Sequence, residues 1–367
     1  MPPVSGPLGA AAPLAAALGV TRVARITGLD RTGVEVACAV RPRGHVLQVT
    51  NGKGPSRALA ALGALLEAAE LSGAERAGVD RWGDAEGLAS GGAAVIAPDE
   101  IEPSTGPASR RVRIAWRLAE DLASGGSVLV PACAVHCPPP SGPSLGPAFV
   151  TWTSNGSGAH ASTAAAMLHA ILELVERDQL ARALPEGFTG REVASRLLDK
   201  SSLPAAAPGA AALALELEAR GIAVHLLDAT GPLGIPCAAA LLVEPAGPVP
   251  LAAGYACRTR RDRALLAALH EAAQSRATEI HGAREDVAES RSRPAAEDLS
   301  LPRRGGRRDA SRMPDLRART PGDALREVVR RLARAGHRRV ARVPLDAPAG
   351  WAVCRAVVPG LAVSGLL

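Results

Sequence analysis

Three stretches of this chain repeat one spacing of carboxylates: ALLEAAE at 64–70, AILELVE at 170–176 and ALHEAAQ at 268–274. Each runs Ala, two mostly aliphatic positions, Glu, two apolar positions, then Glu, Glu or Gln. On a helix, positions i and i+3 share a face, with Cβ atoms about 5–6 Å apart. Glu67 and Glu70, Glu173 and Glu176, and Glu271 and Gln274 therefore pair on three helix faces. Four residues before the first Glu, on the same face, stand Gly63, His169 and Ala267. In the middle stretch Met167, Leu168, Ile171 and Val175 make an apolar side, and His169, Glu173 and Glu176 line the other. A solvated polar face would explain any single pair. The flanks of all three stretches, however, are apolar, whereas an exposed helix in this Arg-rich chain should resemble Arg326–Arg334. Clustered carboxylates in an apolar setting repel unless a cation joins them. Oxygen ligands alone suit a hard cation, Mg²⁺ first, shared with phosphates. Helices converging on a Mg–nucleotide would use Glu67, Glu70, Glu173, Glu176, Glu271 and Gln274 together.

The elements that must carry these residues alternate. Strand patterns lie at 23–42, 45–50, 127–132, 222–230 and 237–244, with a last one in WAVCRAVVPGL. Helix patterns lie at about 56–71, 162–182, 208–221, 262–280 and 322–336. The class is α/β, mixed α+β, with long helices. NGKGPS (51–56) and SNGSGAHAS (154–162) read as glycine-containing loops ahead of two of the helices. The first offers backbone N–H groups and Lys53 near a helix start, which suits phosphate. It lacks the spacing of a Walker loop, and no kinase HRD or DFG element occurs. Residues 1–20 read as an N-terminal extension, and the rest of the chain is long enough for one large domain or two. A basic segment at 288–318 has loop composition and is expected to be flexible.

Composition narrows the classes further. Hydrophobic residues make up 47% of the chain and aromatics only 2%, so the apolar mass is small aliphatic. The net charge of +6 is concentrated in 291–312 and 317–342. With almost no aromatics to stack on bases, nucleic-acid binding is not expected. No signal peptide and no uninterrupted apolar run points to a membrane. Six scattered cysteines favour a reduced, cytoplasmic protein over a disulfide framework. Lysine survives only at 53 and 200, and asparagine only at 51 and 155. Residue types this rare are candidates for a chemical role.

These motifs resemble the YcaO-domain family, ATP-dependent enzymes that activate peptide backbone amides. ITGLDRTGVEVACAVRP (26–42) is similar to the N-terminal segment of the TfuA-associated branch. GKGPSRALAALGALLEAAE (52–70), SNG…LHAILELVERD (154–178) and GYACRTRRDRALLAALHEAAQSRATEIHGAREDV (254–287) resemble three ordered motifs. VVPGL (357–361) resembles the closing strand. The resemblance implies a single catalytic domain over 21–367 with a YcaO-like fold, its long helices converging on a Mg-ATP site beside mixed sheets. It assigns Glu67, Glu70, Glu173 and Glu176 to Mg²⁺. Lys53, Ser56, Asn155, Ser162, Arg177, Glu271, Gln274, Arg276 and Arg284 go to the nucleotide, and Glu173, Glu176, Arg177 and Gln274 to catalysis. The chain departs from the pattern at Gly63 and Leu71, where Ser and Arg are usual. It departs again at His160-Ala161-Ser162, where Asn is usual, and at Ala164-Ala165, where an acidic pair is usual.

The chemistry so implied is nucleophilic addition to an amide, phosphorylation of the resulting oxyanion by ATP, and loss of phosphate. The nucleophile sets the product: sulfide gives a thioamide, a Cys, Ser or Thr side chain an azoline, an amine an amidine. The tail VSGLL lacks the proline-rich end of azoline-forming members, and no fused leader-binding domain is seen. The expectation is therefore thioamidation of a precursor peptide, with a TfuA-like or leader-peptide-binding partner and a homodimer among the assemblies. The alternatives are an azoline-forming cyclodehydratase component and a degenerate, non-catalytic peptide-binding scaffold. A zinc hydrolase built on CAVHC (133–137) or His169 is a further rival.

Overall fold

The computed structural model describes residues 11–188, 190–285 and 307–363. In chain order the first strands are β1 (Arg22–Arg25), β2 (Glu35–Val40), β3 (Val49–Gly54), β4 (Arg81–Gly83), β5 (Ile114–Asp121), β6 (Ser127–Pro131) and β7 (Ser157–His160). There follow β8 (Ala223–Asp228), β9 (Cys237–Val243), β10 (Leu251–Cys257), β11 (Ala341–Leu345) and β12 (Ala352–Val357). The longer helices are α1 (Arg57–Glu75), α2 (Thr163–Ala183), α3 (Pro208–Ala219), α4 (Arg261–His281) and α5 (Pro321–Arg334).

The strands form three sheets. Their orders are β1-β2-β3, β10-β9-β8 and β4-β5-β11-β12-β7, with β6 added on β5. Each carboxylate-bearing helix leaves the edge strand of a different sheet: α1 follows β3, α2 follows β7 and α4 follows β10.

β9, CAAALLV, is apolar along its whole length because both of its faces are covered. Ala238, Ala240 and Leu242 pack with α3 and α4. Cys237, Ala239 and Leu241 pack with α2 and α5. Truncating Leu241, 0% exposed, to Ala would cost about 2–5 kcal/mol. A third core joins α1 to one face of the six-stranded sheet.

Glycine sets how closely the helices approach their strands. A Cβ on Gly52 of β3 would strike backbone atoms of Ala60 and Ala64 in α1. One on Gly158 of β7 would strike Ala166 in α2, and one on Gly254 of β10 would strike Ala268 and Ala272 in α4. The contact recurs three times because Ala-rich helices lie directly on strand backbone.

Here the structure departs from the sequence reading. Asn51–Gly54 and Ser157–His160 were expected to be loop. They are strand, paired with β2 and β12. Their glycines mark close backbone approach, not a turn.

The N-terminal extension is helical over 12–17. A short helix there buries Leu14 and Ala15 in the core with α1. Residues 1–10 lie outside the described residues. Of the basic segment expected to be flexible at 288–318, residues 288–306 lie outside the described residues, whereas 307–318 are anchored. Arg308 pairs with Leu198, and Ala310, Met313 and Leu316 are buried. All six cysteines are free. Among the described residues no helix is long and apolar enough to cross a membrane.

Candidate functional site

An edge strand leaves a row of unpaired N–H groups that must find partners. In this fold the carboxylates of the three helices are among those partners. The Asn51 N–H on β3 donates to Glu67 Oε2 at 2.7 Å. The Ala159 N–H on β7 donates to Glu70 Oε1 at 2.8 Å. The Cys257 N–H at the end of β10 donates to Glu176 Oε2 at 2.8 Å. Just before β7, the Gly156 N–H donates to Glu173 Oε2 at 2.9 Å. Gly156 has φ +82°, and a Cβ there would also crowd Leu174. Glycine is therefore required to present that N–H.

The carboxylates gather in two groups that share α2. Glu67, Glu70 and Glu173 lie between α1 and α2. Burial, then Glu173, then Glu67 push the Glu70 carboxyl well above the usual carboxylate range. Glu176 and Glu271 lie between α2 and α4. Burial and then Glu271 raise Glu176 to about 7, against the pull of Arg177 and Arg258. Burial would raise Glu271 as well. The Lys53 ammonium, 2.8 Å from its Oε2, outweighs that and holds Glu271 below its ordinary value.

Arg177 stands between the groups. Its Nη2 is 3.3 Å from Glu173 Oε1 and its Nη1 is 3.4 Å from Glu176 Oε1. Its Nε and Nη1 are buried without a hydrogen-bond partner. His169 faces the second group and stays neutral, pushed down to about 4 by burial and then by Arg258 and Lys53.

Other expected residues lie on the same helices or in the segments next to them. Ser56 and Ser162 are exposed N-caps of α1 and α2, accepting from the Leu59 and Ala165 N–H groups at 3.4 Å. Asn155 sits in the turn before β7. Arg284 Nη1 is 3.4 Å from Glu67 Oε1. Gln274 is half-buried one turn beyond Glu271 on α4.

Arg276 does not join them. Its side chain is 1% exposed and bonds Asp30, the Val249 carbonyl and Glu244. With its charge neutralised there, Arg276 ties the first sheet's β1–β2 connection to the β9–β10 connection. It is not available to a nucleotide.

The zinc reading also fails on geometry. Cys133 and His136 are buried, and the His136 ring lies against Arg117 and the Ala74 carbonyl. Burial and Arg117 push His136 down to about 4. Among the described residues no three His, Cys, Asp or Glu side chains form a ready metal cage.

Two residues, Arg258 and Arg355, carry no signal in the motifs, and Asn51 is marked there only by its rarity. Arg258 faces Glu176 and Glu271. Asn51 bonds Thr278 Oγ1 through Nδ2 at 2.7 Å, and its Oδ1 is buried without a partner. Arg355 on β12 is 7% exposed, and its Nε is likewise buried without a partner. A lone charge inside the apolar strand AVCRAV was the available signal for Arg355.

Carboxylates pushed above their usual range gain from a cation, and buried guanidinium donors without acceptors gain from an anion. Mg²⁺ needs only one or two protein carboxylates when phosphates complete its shell. A preformed three-ligand cage is therefore not required, and this donor set fits Mg²⁺ with a phosphate ligand.

Comparison with known proteins agrees with that geometry. The family model described as YcaO cyclodehydratase, ATP- and Mg²⁺-binding, matches residues 51–362. The chain belongs to the YcaO family. ATP and Mg²⁺ are the cofactors that this family membership brings. An uncharacterised protein of the tfuA 3′ region of Rhizobium leguminosarum bv. trifolii is 30% identical, over 94% of this chain and 84% of that one. The YcaO structure from Methanopyrus kandleri bound with AMPPCP and Mg²⁺ shares the fold at TM-score 0.70 and 20% identity. That match covers 95% of this chain and 87% of that one. A heterocyclase in complex with substrate and cofactor matches at TM-score 0.73 and 20% identity, over 94% of this chain. This YcaO chain spans about half that heterocyclase, 50% of its length.

Proposed function

We propose that this YcaO protein uses Mg–ATP to activate a backbone amide of a ribosomally made peptide, and that the product is a thioamide. The observation that carries the reading is the convergence of five helix-borne carboxylates around Arg177 and Lys53. Glu67, Glu70 and Glu173 form one group and Glu176 and Glu271 the other. Glu67, Glu70, Glu173 and Glu176 would hold Mg²⁺. Lys53, Arg177, Gln274 and Arg284 would meet the nucleotide, with Ser56, Ser162 and Asn155 at the helix starts and turn beside it. When bound, Mg–ATP supplies the phosphoryl group that turns an amide oxygen into a leaving group.

The chain's own residues have three tasks in this. Backbone N–H groups, three on strands and one in the turn before β7, fix one oxygen of each of four carboxylates, so that the other oxygen is presented in a set direction. Lys53 keeps Glu271 ionised beside Glu176. Arg177 places a fixed cation where negative charge grows during transfer, a preorganised interaction that costs no rearrangement. Removing one such group should lower the rate by about 10²–10³.

The likeness to a protein of a tfuA 3′ region favours sulfide as nucleophile and a TfuA-like partner. The cyclodehydratase description of the family model favours the second reading, an azoline product. Intact mass of a precursor peptide incubated with the protein, Mg–ATP, a TfuA-like partner and sulfide decides between them. Exchange of oxygen for sulfur supports thioamidation, and loss of water supports azoline formation. An unchanged peptide with no ATP consumed sinks both readings and leaves a scaffold.

A further inference from the structure

Arg355 is a buried cation whose surroundings do not satisfy it. It pairs in register with Ser157 across β12 and β7. Side chains alternate along a strand. Cys354 and Ala356 pack on the α2 side, whereas Val353, Val357 and Ala159 pack with α1. Arg355 therefore projects toward the α1 side, where Glu70 takes its bond from Ala159. Its Nη1 donates to Ser157 Oγ at 3.1 Å, and its guanidinium lies over the Trp152 ring at 5.8 Å. Among the described residues no carboxylate comes within ion-pair distance of it. Burial pushes its guanidinium down to about 10, and Glu173 and then Glu70 pull the other way without making up the loss. Gly156, Ser157 and Ala159 in one short stretch thus hold Glu173, Arg355 and Glu70 around a common space.

We propose that Arg355 is a positioning residue that makes metal entry at Glu70 and Glu173 conditional on phosphate. This rests on the reading that those two carboxylates hold Mg²⁺. In the free protein Arg355 is the buried positive charge that faces this pair. A divalent cation arriving alone would leave a buried excess of positive charge beside the guanidinium, which is unfavourable. A divalent cation arriving with phosphate oxygens brings its own anions and gives the unpartnered Arg355 Nε an acceptor. Metal and nucleotide then bind as a unit, and the two carboxylates are not blocked by free Mg²⁺.

The test is Mn²⁺ binding, followed by electron paramagnetic resonance, with and without a non-hydrolysable ATP analogue. Wild type, Arg355→Gln, Arg355→Lys and Glu173→Gln are compared after circular dichroism confirms folding. Arg355→Met, which keeps the packing on Trp152, replaces Arg355→Gln if the latter does not fold. The neutral variant should bind Mn²⁺ alone about tenfold tighter than wild type, or more, and bind the Mn²⁺–analogue complex about tenfold more weakly. Arg355→Lys should keep the wild-type weakness toward Mn²⁺ alone. Equal affinity for Mn²⁺ alone in wild type and the neutral variant overturns the inference, as does a lysine variant that behaves like the neutral one. Glu173→Gln separates the underlying reading. If it leaves Mn²⁺–analogue binding unchanged, the metal assignment itself is wrong, whatever Arg355 does.

Discussion

Glu176 offers a sharp test of how the acidic centre is built. It is 5% exposed, one oxygen is taken by the Cys257 N–H, and its neighbours include Glu271 and Glu173. Burial first and Glu271 second raise it to about 7 from an ordinary 4.5. The folded protein therefore holds a proton here that the unfolded chain has released. Stability contributed by that proton is fully present below about 4.5 and is lost as pH rises to about 7. A shift from 4.5 to about 7 is worth about 3 kcal/mol. Glu176→Gln mimics the protonated acid and can still accept from Cys257, so it should remove this loss. The assay is urea unfolding in chelator across pH 4.5 to 8 for both proteins.

His136, His169 and His225 are each pushed down to about 4, chiefly by burial, and act with the opposite sign over part of this range. They are common to both proteins and cancel in the difference. The variant should gain stability over wild type by roughly 3 kcal/mol between the ends of the range. A difference that does not change with pH would refute the placement of Glu176 among buried carboxylates. Mg²⁺ with an ATP analogue should flatten the wild-type profile, because a bound cation removes the need for the proton.

Three more predictions follow from the packing and the site. Arg276→Ala leaves Asp30 buried without its partner and should cost about 3–5 kcal/mol in urea unfolding. In conditions where it stays folded, its nucleotide affinity by calorimetry should match wild type, since Arg276 does not reach the site. Gly158→Ala drives a Cβ into the backbone of α2 and should cost about 1–3 kcal/mol by thermal unfolding. Elemental analysis should find no stoichiometric zinc, and exhaustive chelation should leave the far-ultraviolet spectrum intact, because CAVHC is held by Arg117 and backbone instead of metal.

The carboxylate-bearing helices and their Glu pairs were legible in the chain, because helical period and apolar flanks are local properties. α1, α2 and α4 lie close to where the period placed them. The glycine segments were not legible. Locally, Gly52 and Gly158 read as loop, and only packing against α1 and α2 shows why a strand there must lack a side chain. The QSR of α4 shows the same limit from another direction. Three residues past Glu271, Gln274 shares its helix face, whereas five past it Arg276 turns to Asp30 and Glu244.

Local spacing was enough to pair Glu67 with Glu70, Glu173 with Glu176 and Glu271 with Gln274 on three helix faces, since i, i+3 needs no tertiary contact. Which carboxylates meet was decided by three sheets bringing β3, β7 and β10 edge-on to one centre. There the backbone N–H groups need acceptors, and Glu67, Glu70, Glu173 and Glu176 supply them. Arg355 belongs wholly to that second level. Its strand lies far along the chain from the three carboxylate-bearing helices, and only the β12–β7 register sets its charge beside Glu70 and Glu173.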